Sequence, residues 1–251
     1  MRILTFDQLD STNTEAQRQL ETGAQLPLWI ITKTQTLGRG RQGREWVSQI
    51  GNLFCSGLYP LSQDASHDAQ KSFVAALAIY DTLAEYVAPE LLSIKWPNDV
   101  LLDGKKVSGI LLERFTSEQK GSGLCIGIGI NLLAKPHNVT DQATACVIDY
   151  IDEALLNDPE PILEMPEPVL AILARKYDDW TQRHDADGFE PIRQTWLERA
   201  ARIGEQITVS LANERFTGYA EGLGADGALI VKLGSGEIRH IRAGDIFFEG
   251  S

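Results

Sequence analysis

The chain has 251 residues, of which 43% are hydrophobic, a size that fits one large domain or a medium domain followed by a small one. Its formal net charge of -12 argues against non-specific binding to DNA or RNA, which needs many cations against phosphates. No apolar run approaches a membrane span, and the N-terminal residues lack the apolar stretch of a signal peptide, so we expect a cytoplasmic protein without a membrane partner.

The N-terminal pattern predicts a strand, a helix and a second strand. Residues 3–9 read as a short strand, and an apolar, β-branched run at residues 28–32 reads as the next. Between them, Thr12 and Glu15 have the spacing of a capping box, and Gly23 marks the end of a helix.

A loop rich in glycine and arginine follows the second strand. Residues 38–46, here called the Gly/Arg loop, read G-R-G-R-Q-G-R-E-W. Glycines let backbone N–H groups approach a ligand, arginine forks grip carboxylate or phosphate oxygens, and a tryptophan offers a face for stacking. The loop therefore predicts a site for an anion beside an aromatic ring. Two alternatives are a loop of solvated arginines and a dinucleotide fingerprint, but no apolar helical repeat follows the glycines as the fingerprint requires.

The middle of the chain predicts a helix and a group of strands. Helical spacing at residues 68–87 predicts a core-facing stripe (Phe73, Leu77, Tyr80, Leu83, Val87). Residues 92–102 and 105–113 are strand-like and are joined by the two-residue turn Asp103-Gly104. In the strand predicted at 124–131, alternation places Gly127, Gly129 and Asn131 on one face. That face predicts either a ligand or another backbone lying flat on the sheet, or close packing against a helix.

The C-terminal quarter changes from helical to strand-like. Residues 166–200 have helical spacing, and after Gly204 five short strands at about 206–211, 215–222, 228–233, 237–241 and 246–249 alternate with turn residues. Such a pattern is typical of a small β-barrel. We therefore predict two domains, residues 1–203 and 204–251.

The polar residues indicate chemistry by positioning and charge. The strands and loops offer the cations Arg39, Arg41, Arg44, Lys95, Lys105 and Lys106. Cations around a dry pocket let a carboxylate attack a phosphate, and Asp99 with Asn98 or Asn131 offers hard oxygen ligands for Mg²⁺. The chain has no P-loop, and its scattered cysteines (Cys55, Cys125, Cys146) are predicted to be buried thiols in a reducing compartment.

The histidines give no sign of a nucleophilic site. His67, His137, His184 and His240 lie away from these motifs, and we expect His184 and His240 at the surface. Without a protein nucleophile, the best-fitting reaction is nucleotidyl transfer to a carboxylate, which forms an acyl-adenylate.

Five motifs in order resemble those of the biotin–protein ligase family over essentially the whole chain. They are the Gly/Arg loop, K-W-P-N-D at 95–99, K-x-x-G-I-L-x-E at 106–113, G-I-G-I-N at 127–131, and the N-terminal S-T-N at 11–13 with Gln35 before the loop. The resemblance implies an α+β fold. Its catalytic domain would be class II synthetase-like, with a central mixed β-sheet flanked by helices, followed by a small C-terminal SH3-like β-barrel in which Gly244-Asp245 also matches.

The resemblance implies a reaction in two steps. With Mg²⁺ as the metal cofactor, ATP and biotin first give biotinyl-5′-AMP. A lysine of a biotin carboxyl carrier protein then receives the biotinyl group. Ser11, Thr12, Asn13 and Gln35 would bind the ureido ring, and Arg39, Gly40 and Arg41 would close over biotin and the adenylate phosphate. The implied catalytic residues are Lys106, Arg41 and Arg39; the substrate-binding residues are Ser11, Thr12, Asn13, Gln35, Arg39, Gly40, Arg41, Lys106, Gly109 and Gly127; the nucleotide-binding residues are Arg44, Trp46, Asn98 and Asn131; and the metal ligand is Asp99.

Two departures from the family pattern are visible. Thr14 stands where many relatives carry glutamine, and the first motif begins at residue 11, which leaves no room before it for the DNA-binding domain of repressor-type ligases. We therefore expect the short type of ligase, without a nucleic-acid partner, and a homodimer through an exposed sheet edge stays open. The alternatives are a lipoate or octanoate ligase, whose arginine loop usually varies, a biotin-responsive repressor, and an oxidoreductase that rests only on the glycine spacing.

Overall fold

The computed structural model describes residues 2–117, 120–136, 143–151 and 166–248. Its strands are β1 (Ile3–Leu9), β2 (Leu28–Gln35), β3 (Leu53–Pro60), β4 (Leu92–Lys95), β5 (Asp99–Leu102), β6 (Lys105–Ser117), β7 (Gly121–Ile130), β8 (Gln206–Ser210), β9 (Arg215–Leu223), β10 (Leu229–Lys232), β11 (Ile238–Ile241) and β12 (Asp245–Phe248). Its helices are α1 (Thr12–Glu21), α2 (Ala65–Leu83), α3 (Glu167–Asp187) and α4 (Phe189–Glu198).

A seven-stranded mixed sheet forms the larger part of the molecule. The strand order is β1-β2-β3-β7-β6-β5-β4, and β1 and β2 are parallel whereas the other neighbours are antiparallel. The turn between β5 and β6 contains Asp103 at φ 52° and Gly104 at φ 72°. Two consecutive positive φ angles are the geometry of a type I′ hairpin, which confirms the predicted two-residue turn.

The two faces of the sheet are covered by different helices. On one face, α2 and α3 pack over a large apolar cluster that contains Trp29 and Ile31 of β2. On the other face, α1 packs over a smaller cluster that contains Leu28 and Ile30 of the same strand. Successive side chains of β2 point to opposite faces of the sheet, and both faces are covered by helices. The strand is therefore apolar at consecutive positions.

The C-terminal strands form a separate five-stranded antiparallel sheet in the order β11-β10-β9-β8-β12. All five predicted strands are present; the predicted end of the last, residue 249, lies outside the described residues. The predicted helical region at 166–200 is two helices, because the chain turns at Gly188, whose φ is 76°. Within the described ranges, no helix combines the length and the apolar character that crossing a membrane requires.

The predicted capping box at the start of α1 is wrong. Ser11, rather than Thr12, is the N-cap residue, with an extended backbone at φ -158°, and no side chain caps the helix. Glu15 instead accepts hydrogen bonds from Gln19 and Arg18. The Thr12 hydroxyl does not cap the helix and instead contacts side chains of β2 and β3, as described below.

Candidate active site

The predicted site residues lie around one cavity of about 610 Å³ between the main sheet, the Gly/Arg loop and the C-terminal sheet. The predicted residues that line it are Ser11, Thr12, Asn13, Gln35, Arg39, Gly40, Arg41, Arg44, Trp46, Asn98, Asp99, Lys106, Gly109, Gly127 and Asn131. The structure therefore brings together every residue of the predicted set, although their roles stay predictions.

One end of the cavity is a polar pocket, here called the head pocket, formed by Ser11, Thr12, Asn13 and Gln35. Ser11 is the N-cap of α1, Thr12 and Asn13 are its first two residues, and all three are buried, at 3 to 4% exposure. The backbone N–H and the hydroxyl of Thr12 both face Gln35 Oε1, at 2.9 and 3.3 Å. Gln35 Nε2 in turn donates to Ser48 Oγ at 3.2 Å. These bonds hold amide and hydroxyl groups in fixed directions, which suits a ligand with its own N–H and C=O groups.

A fully buried serine that the sequence did not single out supports this pocket. Ser56, on β3, donates to Asn13 Oδ1 at 2.6 Å and lies 2.8 Å from the Thr12 hydroxyl. Asn13 Nδ2 donates to Glu113 Oε2 at 2.6 Å. The only available signal was a polar residue inside an apolar strand, which was too weak to interpret.

The glycine face of β7 packs against the protein's own side chains. A Cβ at Gly127 would collide with the amide of Asn13, and one at Gly129 would collide with the indole of Trp46. At Gly127, close packing against a helix is thus the alternative that the structure supports. Trp46 also lies near Gly109, and its Nε1 is buried without a hydrogen-bond partner. The indole therefore rests on the sheet floor beside the cavity.

The arginines of the Gly/Arg loop reach three different parts of the molecule. Arg39 donates to Thr14 Oγ1 at 2.8 Å and to Glu113 at 3.1 and 3.3 Å. Arg41 donates to Asn98 Oδ1 at 3.1 Å and to the Gly244 carbonyl at 3.3 Å.

Arg44 donates to both carboxylate oxygens of Asp245, at 2.9 and 3.0 Å. Gly43 is the last residue of a short 3-10 turn, Arg41–Gly43, and the next element along the chain is β3 rather than a helix, so the dinucleotide fingerprint is excluded.

Two lysines and one aspartate form the charged centre of the cavity. Lys106 Nζ lies 2.6 Å from Asp99 Oδ1. Lys95, which we noted only as one cation among several, also lines the cavity and is 6% exposed. Burial lowers the pKa of Lys95, and Asp99 opposes this shift. Lys105 points elsewhere and binds Asp103 and Tyr150.

The oxygen ligands near Asp99 fit a metal that arrives with a nucleotide better than a permanent metal site. Asp99 is already paired with Lys106, and the Asn98 oxygen is occupied by Arg41. Mg²⁺ is commonly held by one or two carboxylates together with substrate phosphates. Asp99 can supply one such carboxylate if a phosphate takes over the contact with Lys106.

The prediction that His184 lies at the surface is wrong. His184 is 1% exposed, stacks on His67 with ring centroids 4.2 Å apart, and hydrogen-bonds Gln70 at 2.9 Å. Its place on α3 opposite α2 explains the burial, which a polar residue near a helix end does not reveal in sequence. His240 is exposed as expected, whereas His137 lies outside the described residues. Cys55, Cys125 and Cys146 are free and buried, as predicted.

Comparison with known families and proteins covers nearly the whole chain. Residues 5–131 match the biotin/lipoate A/B protein ligase family, and residues 203–249 match the biotin protein ligase C-terminal domain. A biotin–[acetyl-CoA-carboxylase] ligase of Paracoccus denitrificans is 41% identical over 244 residues, which cover 96% of this chain and 98% of the relative. The bifunctional ligase/repressor BirA of Bacillus subtilis is 29% identical, with 97% of this chain and 73% of the relative covered.

Solved structures show the same fold. A biotin protein ligase from Aquifex aeolicus, in complex with biotin and ATP, superimposes with a TM-score of 0.75 at 24% identity, covering 98% of this chain and 97% of the other. A biotin protein ligase from Leishmania major, in complex with biotin, has a TM-score of 0.64 at 19% identity, covering 96% and 98% of the two chains. The predicted fold class, a mixed sheet with flanking helices and a small C-terminal β domain, is confirmed.

Proposed function

The chain belongs to the biotin/lipoate A/B protein ligase family, and from this premise we propose that it is an ATP-dependent biotin–protein ligase. It activates biotin as biotinyl-5′-AMP and transfers the biotinyl group to a lysine of a biotin carboxyl carrier protein. One observation carries the proposal: a single cavity joins a pocket of fixed hydrogen-bonding groups to a basic loop and two lysines. The described lining residues include no cysteine or histidine, which agrees with chemistry by positioning.

In the first step, a carboxylate oxygen of biotin attacks the α-phosphorus of ATP. The new bond joins this oxygen to phosphorus, the bond from the α-phosphorus to the bridging oxygen breaks, and pyrophosphate leaves with that electron pair. The head pocket orients the ureido ring, and Lys106 and Arg39 neutralise the two anions that must meet. Positioned cations of this kind stabilise developing charge in a dry site more than they do in water.

The nucleotide lies between Asn131 and the Gly/Arg loop. Asn131 is 2% exposed and donates to the Ala145 carbonyl at 3.1 Å, so its side chain is held in one orientation. Trp46 provides an aromatic face near adenine, while Arg44 and Asn98 bind the phosphates together with Arg41. Lys95 joins this group because it is buried in the same cavity and because its neighbours Asp99 and Lys106 belong to the predicted site.

In the second step, the uncharged ε-amine of the acceptor lysine attacks the carbonyl carbon of the mixed anhydride. An amide bond forms, the bond to the phosphate oxygen breaks, AMP leaves, and the amine proton passes to solvent. Arg41 retains the adenylate until the acceptor arrives, because its contacts with Asn98 and Gly244 close the loop over the cavity.

We further propose that Mg²⁺ enters with the triphosphate and that Asp99 holds it. The ion would neutralise phosphate charge during pyrophosphate release. Asp99 is suited to this because it is a 9% exposed carboxylate in the cavity, beside the lysine that contacts the phosphoryl oxygens. Activity that persists after chelation of divalent cations would remove the metal from the reaction.

We also propose a domain boundary, a surface for a homodimer and a cellular location. We place the domain boundary between residues 203 and 204, because the five-stranded sheet begins just after it. A homodimer would use the outer edge of β1, which among the described residues pairs with β2 alone and leaves Ile3 37% exposed. The three free, buried thiols agree with a cytoplasmic location.

Incubation of the purified protein with Mg-ATP and equal amounts of biotin, lipoate and octanoate, followed by mass spectrometry, tests the proposal. Biotinyl-AMP should form, and a biotin carboxyl carrier protein added afterwards should gain one biotinyl group. A lipoyl or octanoyl adenylate in its place would assign the chain to the lipoate branch of the family. Absence of any adenylate would overturn the proposed reaction.

A further inference from the structure

One carboxylate lies just outside the cavity and contacts two of the residues that line it. Glu113 is on β6, where residues 109, 111 and 113 share one face of the strand. Gly109 and Leu111 line the cavity, whereas Glu113 lies just beyond it. Its side chain is 28% exposed. Glu113 is therefore placed to act on the site through other residues rather than by touching a ligand.

On one side, Glu113 holds the head pocket. Its Oε2 accepts from Asn13 Nδ2 at 2.6 Å, and Asn13 Oδ1 accepts from Ser56 at 2.6 Å. Both ends of the Asn13 amide are thus fixed, so the amide cannot flip. The side chain of Asn13 is also pressed against Gly127, where no Cβ would fit. Asn13 is 3% exposed, so its polar atoms depend on these two partners.

On the other side, Glu113 holds an arginine of the Gly/Arg loop. The same Oε2 lies 3.1 Å from Arg39 Nη2, and Oε1 lies 3.3 Å from it. Arg39 Nη1 donates to Thr14 Oγ1 at 2.8 Å. Both terminal nitrogens are therefore held, which fixes the plane of the guanidinium. A guanidinium carries five N–H donors, so donors remain for an anion in the cavity.

We propose that Glu113 is a positioning residue that keeps the acid-binding half and the phosphate-binding half of the site in register. It does so because one carboxylate oxygen accepts from Asn13 and from Arg39 at the same time. Thr14 supports only the Arg39 side, and Ser56 supports only the head-pocket side. The inference deepens the proposed function and rests on it, since it assigns biotin to one half and ATP to the other.

Three variants separate the two halves. Glu113→Gln keeps the length of the side chain and removes its charge. Thr14→Val is isosteric and removes only the acceptor for Arg39, and Ser56→Ala removes only the buried hydroxyl. Glu21→Gln is the matched control, because Glu21 lies at the end of α1 and accepts a hydrogen bond from Gln17, which is outside the site. The initial rate of pyrophosphate release gives kcat and separate KM values for biotin and ATP, and calorimetry gives the affinity for biotin alone.

Glu113→Gln should raise the KM for both substrates by about tenfold, the scale expected for a hydrogen bond to a charged group. Thr14→Val should raise the KM for ATP about threefold and leave the KM for biotin unchanged. Ser56→Ala should raise the KM for biotin by a similar factor and leave the KM for ATP unchanged. Glu21→Gln should change neither. Thr14 lies on the first turn of α1 and is only partly buried, so Thr14→Val should fold. This variant therefore tests whether the effects on the two KM values separate, even if another variant fails to fold.

The role of Glu113 would be overturned if Glu113→Gln changed one KM or neither, or if all three variants raised both KM values equally. The second result would indicate general loosening of the site. A wild-type protein that forms biotinyl-AMP alongside an unaffected Glu113→Gln variant would refute only this inference. A wild-type protein that forms no biotinyl-AMP would refute the proposed function instead.

Discussion

The ammonium of Lys106 lies 2.6 Å from a carboxylate oxygen of Asp99, with both side chains largely shielded from solvent. The two residues belong to the strands of one hairpin, β6 and β5, which are joined by a type I′ turn and shift register between Val100 and Leu101. The lysine is therefore held in the cavity before any anion binds. An incoming carboxylate or phosphate must compete with Asp99 for it, and Mg²⁺ would take up the carboxylate that is released.

Replacement of Lys106 by alanine should slow adenylate formation by about 10²- to 10³-fold, the loss seen when one preorganised donor to a developing anion is removed. The measurement is the single-turnover rate of pyrophosphate release. Lys105→Ala is the matched control, because Lys105 is the adjacent residue but binds Asp103 and Tyr150 outside the cavity. Equal rates in the two variants would remove Lys106 from the chemistry.

Arg41→Gly should loosen retention of the adenylate while leaving its synthesis possible. Arg41 connects the Gly/Arg loop to Asn98 and to Gly244, which immediately precedes β12, so its loss opens the cavity on two sides. Activated biotin should then escape and label lysines of a bystander protein, which mass spectrometry can count.

The control for Arg41→Gly is Gln42→Gly, which adds a glycine to the same loop without removing a cation. Gln42 already has φ 55°, a value that glycine adopts freely. Bystander labelling should stay at the wild-type level in this variant. Exclusive modification of the carrier by Arg41→Gly would show that retention does not depend on this arginine.

Gly127→Ala should damage the head pocket. The backbone of β7 is held by β3 and β6 on its two sides, so the added methyl group must displace Asn13 and with it the bonds to Ser56 and Glu113. We expect biotin affinity to fall at least about tenfold and stability to fall by roughly 1–3 kcal/mol. Calorimetry and urea unfolding measure the two effects. Gly234→Ala, where a Cβ meets nothing within 4 Å, should be silent in both.

Much of the fold was predictable because its signals are local. The turn Asp103-Gly104 has the chemistry of a type I′ hairpin, and the five C-terminal strands are separated by turn residues. The Gly/Arg loop and the two lysine-containing motifs also carry the family resemblance that implied the residues now found around the cavity. These features depend on short-range backbone preferences or on strings of residues that can be read directly.

The connections within the site were not predictable, because they join residues that are distant in sequence. Asn13 meets Glu113 across 100 positions, and Arg44 meets Asp245 across 201. Ser56 looked like an ordinary strand residue until the structure placed it beneath α1. The capping box failed for a related reason: the Thr12 hydroxyl has a tertiary partner, and tertiary contacts outweigh a local motif.

His184 should make stability depend on pH in mildly acidic solution. Burial lowers its pKa from the ordinary 6.5 to about 4, and the charges of Lys71 and His67 act in the same direction. Between these values the unfolded chain binds a proton that the native state does not, so stability falls as the pH is lowered from about 6.5 to about 4 and this contribution then levels off. The full shift corresponds to roughly 3 kcal/mol.

The free energy of unfolding in urea, measured at several pH values across that window, tests this expectation. His184→Gln retains a hydrogen-bonding side chain facing Gln70 and should show a shallower decline than the wild type. His240→Gln is the matched control, because His240 is exposed, and it should follow the wild-type curve. Parallel curves for the wild type and His184→Gln would show that the buried imidazole is not the group responsible.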